Sequence, residues 1–105
     1  MSRLENSLSK GPWFEEHVGL GQSEEMQDLR IEVDFLEAAL TGFLGADEPH
    51  EIRHAEEVVD EGFRLVEEGL SKLSDEDVYS RLREYISSLK VAYGELIKER
   101  KGTDF

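Results

Sequence analysis

The segment 47–73 constrains the fold most strongly, because it repeats small residues at a spacing that places them on one side of a helix. Three successive heptads can be aligned within it, and Ala55, Gly62 and Gly69 occupy the same position of the repeat. At about 100° per residue, these residues lie in the middle of the helix's apolar side. Glycine inside a helix costs about 1 kcal/mol relative to alanine. We therefore expect a steric reason for the glycines: a neighbouring helix approaches their backbone closely.

Amphipathic helices are predicted on both sides of this segment. The apolar residues there recur at intervals of three and four, the spacing of a helix with one buried side. In the first helix the core stripe is Met26, Leu29, Val33, Leu36, Leu40 and Phe43. In the last helix it is Val78, Leu82, Tyr85, Ile86, Leu89, Tyr93, Leu96 and Ile97. Because no strand-like alternation occurs, the sequence predicts an all-α fold, a three-helix up-down-up antiparallel bundle at 23–105 with helices at about 23–43, 48–73 and 75–101.

The helix starts are predicted from capping residues. Ser23 is the expected N-cap of the first helix. Asp47 is the expected N-cap of the second, with Pro49 in the first turn, where a proline costs no hydrogen bond. Ser74 is the expected N-cap of the third, with Asp77 at the capping-box position.

Residues 1–22 are predicted to form an irregular aromatic N-terminal leader with a short helical turn at 12–18. Trp13 and Phe14 stand out in it, because a disordered tail seldom contains two adjacent large aromatic residues. Two interpretations stay open. Both rings fold back and cap the bundle, or both bind a partner protein.

The first helix also has a second apolar strip, roughly opposite the core stripe. It consists of Ile31 and Phe35, followed by Ala38 or Ala39 and by Gly42. Two apolar strips on one helix require two contacts. The second contact is predicted to be either the leader or a second copy of the chain, and both are favoured over simple exposure of Ile31 and Phe35. The predicted partner-binding residues are Trp13, Phe14, Ile31 and Phe35.

The charge of the chain limits the classes of partner. The formal net charge is −13, and the acids concentrate in the first two predicted helices. Such a surface repels phosphate backbones and anionic lipids, so direct binding to nucleic acid or to a membrane is not expected. It suits a basic protein partner, an acidic mimic of nucleic acid that inhibits a basic enzyme, or a surface that only keeps the protein in solution.

One short motif resembles a metal site. His50, Glu51 and His54 form an H-E-x-x-H sequence, similar to the signature of zinc metalloproteases, and Glu51 with His54 resembles the E-x-x-H of ferritin-like di-iron proteins. Both resemblances imply metal binding at 50–54. The flanking Pro49 and the surrounding charges instead favour solvated histidines, and no second E-x-x-H follows, so no metal or cofactor is predicted.

The sequence therefore predicts a non-catalytic protein–protein interaction module, such as an adaptor, a chaperone-like factor or a regulatory subunit. It is expected to self-associate through the first helix or to bind another protein. A metal-binding helical protein and an acidic nucleic-acid mimic are the alternatives. The absence of cysteine and of an apolar leader segment favours a cytoplasmic location.

Overall fold

The computed structural model describes residues 3–9, 12–17 and 24–102, and these residues form five helices and no strand. The all-α prediction is confirmed. The helices are α1 (Arg3–Leu8), α2 (Trp13–His17), α3 (Glu24–Gly45), α4 (Pro49–Ser71) and α5 (Glu76–Gly102). Ser23, the predicted N-cap of the first helix, lies outside the described residues, as does residue 18 at the end of the predicted turn.

The core stripe predicted for α3 is buried at every position. Its six residues are each at most 7% exposed: Met26, Leu29, Val33, Leu36, Leu40 and Phe43. They pack with buried residues from the two other long helices, including Val59, Phe63, Val66, Leu70, Val78, Leu82, Ile86, Leu89 and Tyr93. No polar or charged residue among those described is fully buried. The spacing of apolar residues therefore accounts for which side of each long helix faces the core.

The prediction that glycines admit a close helix contact is confirmed for α3 and α4. A Cβ placed on Gly62 would lie 3.1 Å from Leu36 Cδ1 and 3.2 Å from Leu36 Cα. A Cβ placed on Gly69 would lie 2.9 Å from Leu29 Cδ1. A side chain at Gly62 would therefore press on the backbone of α3, whereas one at Gly69 would displace the ends of the Leu29 and Glu32 side chains. The contacts also occur in opposite order along the two helices, since Leu29 precedes Leu36 and Gly69 follows Gly62.

The irregular leader is a wrong prediction for its first part, because Arg3–Leu8 is helical. Leu4 is fully buried in the core, and Arg3 Nη1 lies 3.3 Å from Glu95 Oε1 on α5. A helix of this length is marginal by itself, so the packing of Leu4 supplies its stability. Sequence periodicity gives little signal over so few residues.

Two predicted N-caps are also wrong. At α4 the N-cap is Glu48, with φ −87° and ψ 148°, and Asp47 lies one residue outside. Pro49 explains the shift, because proline favours the first helical position. At α5 the N-cap is Asp75, not Ser74: Asp75 Oδ1 accepts hydrogen bonds from the backbone N–H of Asp77 at 3.1 Å and of Val78 at 3.2 Å. Aspartate and serine cap helices about equally well, so the sequence did not distinguish these neighbours.

Candidate docking surface

Ile31 and Phe35 lie on the outer side of α3, away from its core stripe. Ile31 is 59% exposed and Phe35 is 41% exposed. Residues four apart on a helix are neighbours, so the two side chains form one continuous apolar patch. Val33, which lies between them in the sequence, is fully buried in the core. Helix α3 therefore has one apolar side in the core and a second one facing outward.

An apolar groove between α3 and α4 continues this patch. It has a volume of about 480 Å³ and is lined by Phe35, Ala38, Ala39, Gly42, Gly45, Ala46, Glu51, His54, Ala55 and Val58. Most of its lining residues are small, and a Cβ placed on Gly42 or Gly45 would meet nothing within 4 Å. The groove therefore has space for large side chains. We call Ile31, Phe35 and the residues that line this groove the docking surface.

Carboxylates flank the docking surface at both ends. Glu51 lines the groove near the start of α4. The other end is the one near Ile31. There, Glu32 interacts electrostatically with Asp28 and Glu68. Burial raises the pKa of Glu32, the negative charges of Asp28 and Glu68 raise it further, and Lys72 opposes them. The acids at this end thus repel one another, which leaves a negative potential beside the apolar strip.

Trp13 and Phe14 lie in the core and not on the docking surface. Trp13 is 8% exposed and Phe14 is 1% exposed. The Trp13 ring stacks on Tyr85 of α5, with 5.4 Å between ring centroids. Glu15 of the same short helix lies 3.5 Å from Arg30 of α3. This placement corresponds to the interpretation in which both rings fold back. Helix α2 lies beside Arg30, and Ile31 and Phe35 remain exposed.

The histidines of the H-E-x-x-H sequence are both exposed. Within the part of the chain that the structure describes, the one cluster of potential ligand atoms consists of Glu48, His50 and Glu51, all exposed, and it does not include His54. His50 Nδ1 lies 3.4 Å from Glu48 Oε2. His54 lines the groove instead. The pattern therefore does not bring its two histidines together with a third ligand.

The groove of the docking surface is not evident from the sequence. The groove requires Phe35 and Val58 to lie near each other, and they belong to different helices. The small residues Ala38, Ala39, Gly42, Gly45 and Ala46 are the available signal, since small side chains leave space between helices. Val91 of α5 is also 55% exposed, but a single exposed apolar residue does not indicate a contact site.

Comparison of the chain with protein-family models, with curated proteins and with solved structures finds no match. Among the helices that the structure describes, none combines the length and the apolar composition needed to cross a membrane.

Proposed function

We propose that this protein is a non-catalytic interaction module that binds a basic amphipathic helix of a partner protein on the docking surface. The observation that carries the proposal is the exposed pair Ile31 and Phe35, which continues into an apolar groove between α3 and α4. Exposed apolar patches that are continuous, unlike scattered single residues, are typical of protein contact sites. Binding of an amphipathic helix in an apolar groove is a common form of peptide recognition.

The dimensions of the surface fit a short helix. From Ile31 to Gly42 the axis of α3 rises by about 16 Å, which equals about three helical turns. A partner helix of this length presents apolar side chains at i, i+3 or i+4, and i+7. The space above Gly42 and Gly45 accepts the larger of these side chains, because a Cβ added to either glycine would meet no other part of the protein within 4 Å.

The charges favour a basic partner over an acidic or neutral one. Glu51 lies at one end of the docking surface, and Asp28, Glu32 and Glu68 lie at the other. Lysine or arginine residues that flank the apolar positions of the partner would lie near these acids. Such pairs at the rim increase the association rate and the specificity more than the affinity, and added salt weakens them.

A second copy of the chain is the alternative occupant. Self-association would bury Ile31 and Phe35, but it would also bring two acidic surfaces together. A dimer formed this way would therefore be favoured by added salt, which screens the repulsion. Binding of a basic helix has the opposite salt dependence, so salt distinguishes the two occupants.

We also propose that the three long helices run up-down-up and form the rigid support of the docking surface. The opposite order of contacts between α3 and α4 supports this arrangement, as does the 2.8 Å ion pair between Lys90 of α5 and Glu67 of α4. Near that pair, the rings of Phe63 and Tyr93 lie 6.0 Å apart. Going from Lys90 to Tyr93 along α5, the contacting residue on α4 moves back from Glu67 to Phe63. This opposite order is expected for antiparallel helices.

The test is capture of partners from an extract of the producing cells on the immobilised wild-type protein and on variants. Gly42→Leu fills the groove with a side chain, and Ile31→Ser with Phe35→Ser removes the exposed apolar pair. We expect a basic protein to bind the wild type, to be lost from both variants, and to be eluted by raising the salt from about 50 mM to about 300 mM.

Two matched controls make the capture specific. Gly94→Leu places the same side chain at an exposed glycine of α5 with nothing within 4 Å, and Val91→Ser removes another exposed apolar residue. Both should retain the partner. The proposal is wrong if no protein shows this dependence on the two sites. A light-scattering measurement that shows a dimer at high salt, abolished by Gly42→Leu, would instead assign the surface to a second copy.

A further inference from the structure

Helix α2 is held against α3 and α5 by a small set of polar and aromatic contacts. The Trp13 ring is stacked between His17, at 4.7 Å, and Tyr85, at 5.4 Å. Glu37 Oε2 of α3 accepts two hydrogen bonds, from the Trp13 backbone N–H at 3.2 Å and from the Tyr85 hydroxyl at 2.6 Å. Phe14 is buried in the core beside them. Trp13 therefore reports directly on whether α2 is docked.

Two carboxyl groups face each other where α2 meets α3. Glu15 of α2 lies within hydrogen-bonding reach of Asp34 of α3. Glu15 Oε2 and Asp34 Oδ1 are both buried, and neither has a hydrogen-bond partner among the described residues. Two ionised carboxylates within hydrogen-bonding reach repel each other, whereas a single proton shared between them forms a hydrogen bond. Arg30 lies 3.5 Å from Glu15 and offsets part of the repulsion.

We propose that α2 is a pH-sensitive latch, which is docked when a proton is shared between Glu15 and Asp34 and is weakened when that proton is lost. Arg30 and Glu37 on α3 are the other charged groups that act on Asp34. The rings of His17 on α2 and Tyr85 on α5 lie against Trp13, and the Tyr85 hydroxyl donates a hydrogen bond to Glu37. Loss of the proton adds a negative charge beside Glu37. Opening of the latch exposes Trp13 and Phe14, which then form a second apolar surface.

The direction of the pH dependence follows from the docked geometry. Burial is the largest cause that raises the pKa of Asp34, followed by the negative charge of Glu15, the hydrogen bond that a proton forms between the two carboxyl groups, and the charge of Glu37. Arg30 opposes them, and together these influences bring the pKa of Asp34 from 3.8 to about 6. When α2 is released, Asp34 loses these influences and returns toward its ordinary pKa. The docked state thus binds a proton that the released state does not. Docking is strongest in acid and weakens as the pH rises toward about 6. Because one proton is involved, the equilibrium constant for docking falls by at most about tenfold per pH unit.

Acrylamide quenching of tryptophan fluorescence tests this proposal, because Trp13 is the one tryptophan in the chain. Acrylamide is uncharged, so its access to Trp13 reports exposure and not local charge. We expect the quenching constant to increase as the pH rises from about 4.5 to about 7.5, with the change concentrated below and around pH 6. A quenching constant that stays flat over this range would overturn the proposal.

Variants identify the groups responsible. Asp34→Asn and Glu15→Gln each replace one acid by an amide that donates the hydrogen bond at every pH, so both variants should keep Trp13 protected at neutral pH. Two such variants are used because either one alone could fail to fold. Glu16→Gln removes the same charge from an exposed position of α2 and should retain the wild-type transition.

His17→Gln tests whether the stacked histidine is the sensor instead. If the transition persists in His17→Gln and disappears in Asp34→Asn and Glu15→Gln, the carboxyl pair is the sensor. If it disappears in His17→Gln, or in Glu16→Gln as completely as in the pair variants, the assignment to Glu15 and Asp34 is wrong.

Discussion

Leu36 Cα of α3 lies 3.2 Å from the position that a Cβ would occupy on Gly62 of α4. At this point the backbones of the two helices pack directly against each other, with no side chain between them. Such contacts require glycine at the point of closest approach. The docking surface depends on this geometry, because the groove between Phe35 and Val58 is the space that two closely packed helices leave at their outer edge.

Gly62→Ala is therefore expected to destabilise the protein, although alanine is the better helix former. The new methyl group would press on the backbone of Leu36, and a backbone atom yields only if the whole helix moves. Overpacking of this kind costs about 1–3 kcal/mol, and the gain in helix propensity returns about 1 kcal/mol. We expect the free energy of unfolding, measured with urea, to fall by about 1 kcal/mol.

Gly94→Ala is the matched control for that substitution. Gly94 lies inside α5, and nothing lies within 4 Å of an added Cβ. Here only the propensity term applies, so the free energy of unfolding should rise by about 0.5–1 kcal/mol. If Gly62→Ala were as stabilising as Gly94→Ala, the close contact between α3 and α4 would not exist.

The sequence was sufficient to predict the long helices because each contains a repeated signal. Six core residues of α3 and the glycines of α4 recur at helical spacings, and each repetition reduces the chance of a false pattern. The steric role of Gly62 and Gly69 was also predictable, since glycine in a helix interior has a cost that needs a structural reason.

The remaining features depend on contacts between segments that are far apart in the sequence. Leu4 is buried because α1 packs against other helices, and six residues contain too little periodicity to show this. Ile31 and Phe35 were identified as a second apolar strip, but the sequence could not show that α2 docks beside Arg30 and leaves them exposed. The choice between Ser74 and Asp75 as N-cap depends on backbone geometry at one residue, which neither side chain determines alone.

Asp75→Ala should reduce stability, whereas Ser74→Ala should not. Asp75 Oδ1 accepts hydrogen bonds from two backbone N–H groups in the first turn of α5, and alanine cannot replace them. Loss of an N-cap costs about 1 kcal/mol. We expect this decrease in the free energy of unfolding, measured with urea, for Asp75→Ala. Ser74→Ala should have nearly the wild-type stability, and Asp75→Asn should also keep it because asparagine can cap the helix. The reverse order would assign the cap to Ser74.

Two tyrosines on α5 are expected to respond oppositely to removal of their hydroxyl groups. Tyr85 donates a 2.6 Å hydrogen bond to Glu37, whereas the buried Tyr93 hydroxyl has no hydrogen-bond partner among the described residues. Tyr85→Phe leaves a partly buried carboxylate with one donor fewer and should cost about 1 kcal/mol at neutral pH. Tyr93→Phe removes an unsatisfied polar group and should be neutral or stabilising.

The loss in Tyr85→Phe should also depend on pH. Burial raises the pKa of Glu37, and the hydrogen bonds from Tyr85 and Trp13 lower it. Without the Tyr85 hydroxyl, the pKa of Glu37 in the folded protein rises further. Its ionised form then destabilises the fold more, and this penalty disappears as the pH falls and Glu37 gains a proton. Urea unfolding at pH values of about 4.5 and about 7 should show a smaller loss at the lower pH.

Ile31→Ser and Phe35→Ser should leave the fold intact, because both side chains are largely outside the core. Substitutions at exposed positions change stability by about 0.5 kcal/mol, and the half-buried ring of Phe35 adds a modest further loss. Leu36→Ala, one residue further along but fully buried, should cost about 2–5 kcal/mol. Urea unfolding compares the three variants. If Ile31→Ser destabilised the chain as much as Leu36→Ala, Ile31 would be a structural residue, and loss of a partner in that variant would no longer support a docking surface.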